Sequence, residues 1–258
     1  MTLPNTKMST TKFIIGRLIA IWAILIFVSS LFIAVFFMIP CFFMTEPHRA
    51  RWHRQITQNW MRFFLFFIGC RLKIKGAQNF VKGENYVVVC NHNSLMDVPV
   101  STPFMPRANK TIAKVSFSKV PVFGWVYKFG SVLVDRRSDQ SRRKSYEEMK
   151  SILSLGLDML IYPEGTRNRT GDPLKAFFDG AFRLAVDTQK RIIPTILFNS
   201  KNILPPSPSF CLLPGKIEMH FLPPVDVAGK TSKVLNKEVF DLMWDYYAKH
   251  QLLLEGRI

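Results

Sequence analysis

An imidazole and a carboxylate stand close together in the segment Asn91-His92-Asn93-Ser94-Leu95-Met96-Asp97, directly after the apolar run Tyr86-Val87-Val88-Val89-Cys90. An aspartate that accepts one ring N–H of a histidine fixes its tautomer and leaves the other nitrogen as a general base near neutral pH. Such a pair is two-thirds of a hydrolytic triad. The nucleophile need not come from the protein when an alcohol substrate brings its own hydroxyl, and that situation suits acyl transfer. The same residues also fit a helix start, with Ser94 as N-cap and Asp97 three positions later as a capping box, which would make His92 a turn residue.

Two further blocks combine strands with cations. Gly130-Ser131-Val132-Leu133-Val134-Asp135-Arg136-Arg137 reads as a strand ending in an acid and two bases, suited either to holding a phosphate or to a solvated charge cluster. Leu160-Ile161-Tyr162-Pro163-Glu164-Gly165-Thr166-Arg167 delivers an apolar strand into a tight turn. Gly165 permits close backbone approach there, and the Arg167 fork can grip a phosphate with two hydrogen bonds, although an ordinary surface turn has the same composition. In a fourth block, Ile192-Ile193-Pro194-Thr195, a proline inside an apolar strand marks a sheet edge or an interruption.

Taken in order, the four blocks resemble the 1-acyl-sn-glycerol-3-phosphate acyltransferase family, the PlsC-like glycerolipid acyltransferases. The first family motif is Asn-His-x-x-x-x-Asp and the third is Phe-Pro-Glu-Gly-Thr-Arg, matched here by Asn91 to Asp97 and Tyr162 to Arg167. The resemblance runs from Gly76 to Val225 and includes Ala113-Lys114 to Gly124-Trp125 between the first two motifs. It implies that His92 is the general base and Asp97 its orienting partner. It places Glu164, Gly165, Thr166 and Arg167, with Arg136, around the glycerol-phosphate of the acceptor, and makes Lys114 a further candidate. The implied reaction moves an acyl group from acyl carrier protein or coenzyme A to the sn-2 hydroxyl of lysophosphatidic acid, giving phosphatidic acid, with no metal or cofactor. Three departures stand out. Tyr162 replaces Phe, Leu133 replaces an aromatic, and Phe177-Phe178-Asp179-Gly180 stands where the family often has Phe-Lys-x-Gly. The missing cation keeps another lysolipid acceptor open.

Positioning these residues calls for an α/β fold, a mixed sheet flanked by helices. The pattern after Gly69 predicts strands at Leu72–Lys75, Tyr86–Cys90, Thr111–Val115, Val132–Asp135, Met159–Tyr162, Ile192–Leu197 and Ile217–Phe221. Helices are predicted at Asp139–Leu155, Phe178–Thr188 and Thr231–Leu254, the first of them stopped by Gly156. Ile203 to Phe210, ILPPSPSF, reads as a proline-rich surface loop.

Residues 1–68 have a different character from the acyltransferase domain expected at 69–258. No charged residue occurs from Leu18 to Met44, longer than the roughly 20 apolar residues that span a bilayer. A retained membrane-embedded helical segment is expected, either a tilted span or a hairpin broken near Ser29-Ser30. Basic residues flank it on both sides: Lys7, Lys12 and Arg17 before, Arg49, Arg51 and Arg54 after. Both flanks read as cytoplasmic by the positive-inside rule, so the expected location is the inner membrane with the active site facing the cytoplasm. Trp52 to Ile68 mixes bases with aromatics, as a helix lying on headgroups does.

A formal net charge of +17 draws the chain toward polyanions, here an anionic membrane surface. Nucleic acid is disfavoured, because no recognition motif is present and the apolar run would be left without a role. A non-catalytic basic membrane-binding protein would leave the four blocks without a role. Cys41, Cys70, Cys90 and Cys211 are widely spaced without a CxxC pair, and His48 and His53 do not form an i, i+4 ligand pair, so no metal site is expected.

Overall fold

The computed structural model describes residues 9–206 and 210–254. A 7-stranded mixed sheet forms its centre, with strand order β1-β7-β6-β2-β5-β3-β4. The strands are β1 (Arg71–Lys75), β2 (Val87–Cys90), β3 (Asn109–Lys114), β4 (Ser131–Val134), β5 (Asp158–Ile161), β6 (Ile192–Phe198) and β7 (Lys216–Phe221). All seven sequence-predicted strands are present, shifted at their ends by one or two residues. From β6 through β4 every pairing is parallel, whereas β7 runs antiparallel to β6 and parallel to β1. The central strands are buried on both faces, which explains their unbroken apolar composition.

Alternation divides β2 between two cores. Val88 and Cys90 face a cluster shared with the N-terminal helices α1 (Thr10–Met38) and α2 (His48–Phe67). Val87 and Val89 face a second cluster under α5 (Asp139–Ser154), α6 (Gly180–Thr188) and α8 (Ser232–Leu254). The shorter helices α3 (Asp97–Ser101), α4 (Phe123–Gly130) and α7 (Ser200–Ile203) sit in the connections. Ser138 caps α5 by accepting from the Ser141 N–H, and Gly156 beyond its end has φ +77°, as a helix-stopping glycine should.

Pro194 lies in a fully buried inner strand, so it marks an interruption and not an edge. The β6–β7 ladder begins at Thr195↔Phe221, and before it only an isolated bridge, Ile192↔Val225, joins this side. By alternation the ring nitrogen of Pro194 falls in that gap, where no ladder bond is lost.

The apolar N-terminal run is one unbroken helix through Ser29 and Ser30, whose hydroxyls donate back to the carbonyls of Leu25 and Ile26. The expected break near Ser29-Ser30 is therefore replaced by a reversal after Met38, where Pro40 and Pro47 frame a short 3₁₀ turn. Three indoles record the antiparallel pairing that follows. Trp22 Nε1 donates to Phe67 O (3.0 Å), Trp60 Nε1 to Ser30 Oγ (2.9 Å) and Trp52 Nε1 to Phe37 O (2.9 Å). Gly16, Ala20, Ala23 and Ala34 face inward on α1, whereas Leu18, Leu25, Phe32, Ile33 and Phe36 face out. Leu31, Val35 and Met38 are buried alongside the small residues, and the many large apolar side chains left on the outer face suit a helix surrounded by lipid. It is long and apolar enough to cross a membrane. Lys7 of the basic flank and residues 207–209 of the proline-rich stretch lie outside the described residues.

The hairpin is anchored to the sheet at its turn. Buried Lys110 on β3 donates to Glu46 Oε1 at 2.7 Å, and the same carboxylate receives Arg49 Nε and the Ala50 N–H. Arg54 Nε donates to Met105 O at 2.8 Å.

Candidate active site

Parallel strands β2, β5, β3 and β4 deliver their carboxyl ends to one edge of the sheet, and the predicted chemistry gathers there. In open α/β sheets ligands bind outside the carboxyl ends of the strands. Beyond β2 the chain turns through Asn91 to Met96 into α3. Asn91 holds this exit by exchanging two side-chain hydrogen bonds with the backbone of Leu197 on β6.

His92 Nδ1 lies 2.8 Å from Asp97 Oδ2. The same oxygen receives the backbone N–H groups of Asn93 (2.6 Å) and Ser94 (2.7 Å), while Asp97 is fully buried. The helix begins at Asp97 with Met96 at its N-cap, so Ser94 is not the cap that the capping-box reading expects; the carboxylate still closes the turn by accepting the Ser94 N–H while it holds the imidazole. A carboxylate accepting from Nδ1–H leaves Nε2 with a free lone pair. The His92 side chain keeps 17% exposure, enough for a substrate to reach it.

Tyr162, at the end of β5, stacks on the His92 ring with centroids 4.4 Å apart and shares a 2.6 Å hydrogen bond with Ser101 Oγ on α3. Burial pushes its phenol far above the ordinary range, so it remains a neutral wall. The residue noted in the sequence only as a departure from Phe thus fixes one face of the imidazole.

The turn after β5 packs directly against this pair. Glu164 is fully buried, and its Oε1 accepts the His92 backbone N–H at 3.0 Å, while His92 O accepts the Asn168 N–H at 2.6 Å. The first and third blocks are thereby stitched together at His92 itself. Burial raises the Glu164 carboxyl to about 7, and its second oxygen has no partner. Glu164 faces inward toward the backbone of the base, not outward toward a substrate.

Gly165 adopts φ +68°, and a Cβ there would lie 2.8 Å from the Phe178 ring. Its carbonyl accepts from Arg136 Nη1 at 2.6 Å, which brings the second block to the third. Exposed Thr166 receives Lys175 Nζ on its hydroxyl at 2.9 Å. Arg167 is half-buried and has no side-chain hydrogen bond or ion pair among the described residues. Lys114 ends β3 on the same sheet edge, exposed, and likewise makes none of these contacts.

Lys175 was not singled out in the sequence. It lies just upstream of Phe178, where the family often has a cation, and folds back over the turn to Thr166. A search for the nearest cation before Gly180 would have found it. A second unpredicted feature is an apolar cavity of about 350 Å³ between α1 and the active-site loop. Ala20, Ala23, Ile24 and Phe27 line one side, and Leu95, Met96 and Pro99 the other.

Comparison with known proteins finds relatives in sequence and in fold. The family model described as "Acyltransferase" matches residues 71–197. The chain is 31% identical over 170 residues to the 1-acyl-sn-glycerol-3-phosphate acyltransferase alpha of Mus musculus, an alignment covering 64% of this chain and 59% of that protein. It is 26% identical over 215 residues to the chloroplastic 1-acyl-sn-glycerol-3-phosphate acyltransferase LPAT1 of Arabidopsis thaliana, covering 82% of this chain and 59% of the relative. The chain thus spans about three-fifths of the length of these relatives. Among solved structures, the fold matches that of the 1-acyl-sn-glycerophosphate acyltransferase PlsC from Thermotoga maritima with TM-score 0.78, at 23% identity over 92% of this chain and 97% of that one.

Proposed function

We propose that this chain, whose residues 71–197 match the acyltransferase family model, transfers a fatty acyl group from acyl carrier protein or coenzyme A to the sn-2 hydroxyl of 1-acyl-sn-glycerol-3-phosphate, forming phosphatidic acid for phospholipid synthesis. The observation that carries this reading is the His92–Asp97 pair, held at a sheet edge by the very turn that bears Arg167.

In this reading His92 Nε2 takes the proton of the acceptor hydroxyl as the oxygen attacks the thioester carbonyl. Asp97 stabilises the imidazolium that forms, and the thiolate of the carrier departs when the tetrahedral intermediate collapses. Arg167, which has no side-chain hydrogen bond or ion pair among the described residues, grips the acceptor phosphate with paired donors, and Lys175 and Arg136 add charge beside it. Lys114 guards the far side of the same edge. Gly165 lets the backbone approach the glycerol-phosphate, Thr166 contributes its hydroxyl, and Glu164 holds the base in place through the His92 N–H. The apolar cavity beside Leu95 and Met96 takes an acyl chain, an apolar wall for a hydrocarbon guest.

Residues 1–68 act as the membrane anchor and residues 69–258 as the catalytic domain. The helix α1 sits in the inner membrane, α2 lies at the headgroup level and the sheet is on the cytoplasmic side, where the basic surface meets anionic headgroups. The test is product analysis. Purified protein in detergent, given labelled acyl donor and a panel of lysolipids, should acylate lysophosphatidic acid in preference to the others. Preference for a phosphate-free acceptor would contradict the phosphate grip.

A further inference from the structure

Two strands away from β2, a second cluster of titratable groups joins the last helix to the sheet and has no part in the proposed reaction. Glu218 and His220 occupy alternate positions of β7 and so emerge on one face. His250 reaches them from α8. Their ligating atoms all lie within 4.8 Å of one another. His220 Nε2 is 2.8 Å and His250 Nε2 is 3.8 Å from Glu218 Oε2.

His250 Nε2 is buried and has no hydrogen-bond partner among the described residues. A buried ring nitrogen without a partner is costly, and it is aimed at a carboxylate that already holds another imidazole. Burial keeps both histidines below their ordinary pKa and hence neutral, the form in which imidazole binds a metal. Burial alone would raise Glu218, but hydrogen bonds from Lys216, His220 and Lys75 outweigh it and hold the carboxyl at about 2.

We propose that Glu218, His220 and His250 form a binding site for a divalent ion of the zinc class, coupling α8 to β7. Two imidazole nitrogens and one carboxylate oxygen are a donor set suited to Zn²⁺, with water in the fourth position. Metal–ligand bonds of about 2.0–2.2 Å place tetrahedral ligand atoms roughly 3.4 Å apart. The present separations of 2.8 and 3.8 Å bracket that spacing. His220 Nδ1 meets Tyr246 OH at 3.0 Å, so a shift of tautomer frees Nε2 for the metal while the second nitrogen keeps its partner.

The opposing force is the charge of the neighbouring lysines. Lys216 Nζ sits on Oε1 at 2.6 Å and remains there as an outer partner. Lys75 Nζ shares Oε2 at 3.3 Å, so the ion must displace it, and its half-exposed side chain can turn to solvent.

The competition supplies the test. The full chain in detergent, freed of metal with a chelator, is titrated with Zn²⁺ in equilibrium dialysis, and thermal unfolding is followed in parallel. One ion per chain and a higher Tm with metal are expected. His250→Gln should weaken Zn²⁺ binding at least about tenfold, whereas Lys75→Met should strengthen it because the competing cation is gone. His48→Gln, on α2, should leave the affinity unchanged. Failure of the wild-type chain to take up Zn²⁺, or equal affinity in wild type and His250→Gln, would overturn the site. Weaker binding in Lys75→Met would do the same.

Discussion

Asp97 has two duties in the structure, and two substitutions separate them. Its Oδ2 takes the His92 ring nitrogen and two backbone N–H groups, all within 2.8 Å, while Oδ1 is buried without a partner. In Asp97→Asn the amide oxygen can occupy the Oδ2 position, so the turn retains its acceptor and His92 retains a neutral one. What is lost is the charge that stabilises the imidazolium, and kcat should fall by about 10²–10⁴-fold, the range for disabling a general base. Asp97→Ala also strands the Asn93 and Ser94 N–H groups, at roughly 1–3 kcal/mol each, so its Tm should drop by several degrees beyond that of Asp97→Asn. Initial rates with labelled acyl donor give the first quantity and thermal unfolding the second. If Asp97→Asn keeps more than a tenth of wild-type kcat while Asp97→Ala unfolds readily, Asp97 is a capping residue only and the base is not paired as argued here.

Other outcomes follow from the same geometry. Arg167→Ala should raise KM for lysophosphatidic acid and lower kcat/KM at least about tenfold, with Arg167→Lys recovering only part; saturation curves for each substrate check this, and an effect confined to the acyl donor would move Arg167 to the carrier. Glu164 and Asp158 are both raised by burial to about 7, so the unfolded chain is ionised there before the folded one. Stability contributed by these protonated groups is full below their unfolded values and is lost as pH rises through 7. Denaturant titrations should therefore show a less stable protein near pH 8 than near pH 5, with a smaller difference in Glu164→Gln. Gly165→Ala meets both a positive φ and the Phe178 ring, and should cost about 1–2 kcal/mol with a matching loss of activity, read by unfolding and by initial rate. Lys110→Met removes one partner of half-buried Glu46, which keeps Arg49 and the Ala50 N–H, and should lower stability by about 1–3 kcal/mol, seen as easier proteolysis between the hairpin and the sheet.

Most of the sheet was legible because a strand buried on both faces writes itself as a short apolar run between turn residues. Position in the sheet was not: Pro194 follows the rule that prolines avoid ladders, but the gap that accommodates it belongs to β7, far away in sequence. The same holds for the hairpin. Ser29-Ser30 looked like a weak point, yet serine hydroxyls satisfy themselves on the preceding turn, and only Pro40 and Pro47 force reversal. His92, Asp97 and the turn at Gly165 were found by spacing. Tyr162 against His92, Lys175 against Thr166 and the inward face of Glu164 depend on contacts between segments, which no local pattern records. Glu218, His220 and His250 were missed for the same reason, since the helix that brings the third residue back lies at the other end of the last connection.

The central claim is that His92 Nε2 removes the proton of the acceptor hydroxyl. Its most direct test is acyl transfer from labelled donor to lysophosphatidic acid by wild-type and His92→Ala protein in the same vesicles, with Tm measured on both. The account predicts labelled phosphatidic acid from wild type and, at equal Tm, a rate lower by about 10²–10⁴-fold or more in the variant. Comparable product from a well-folded His92→Ala protein would contradict it.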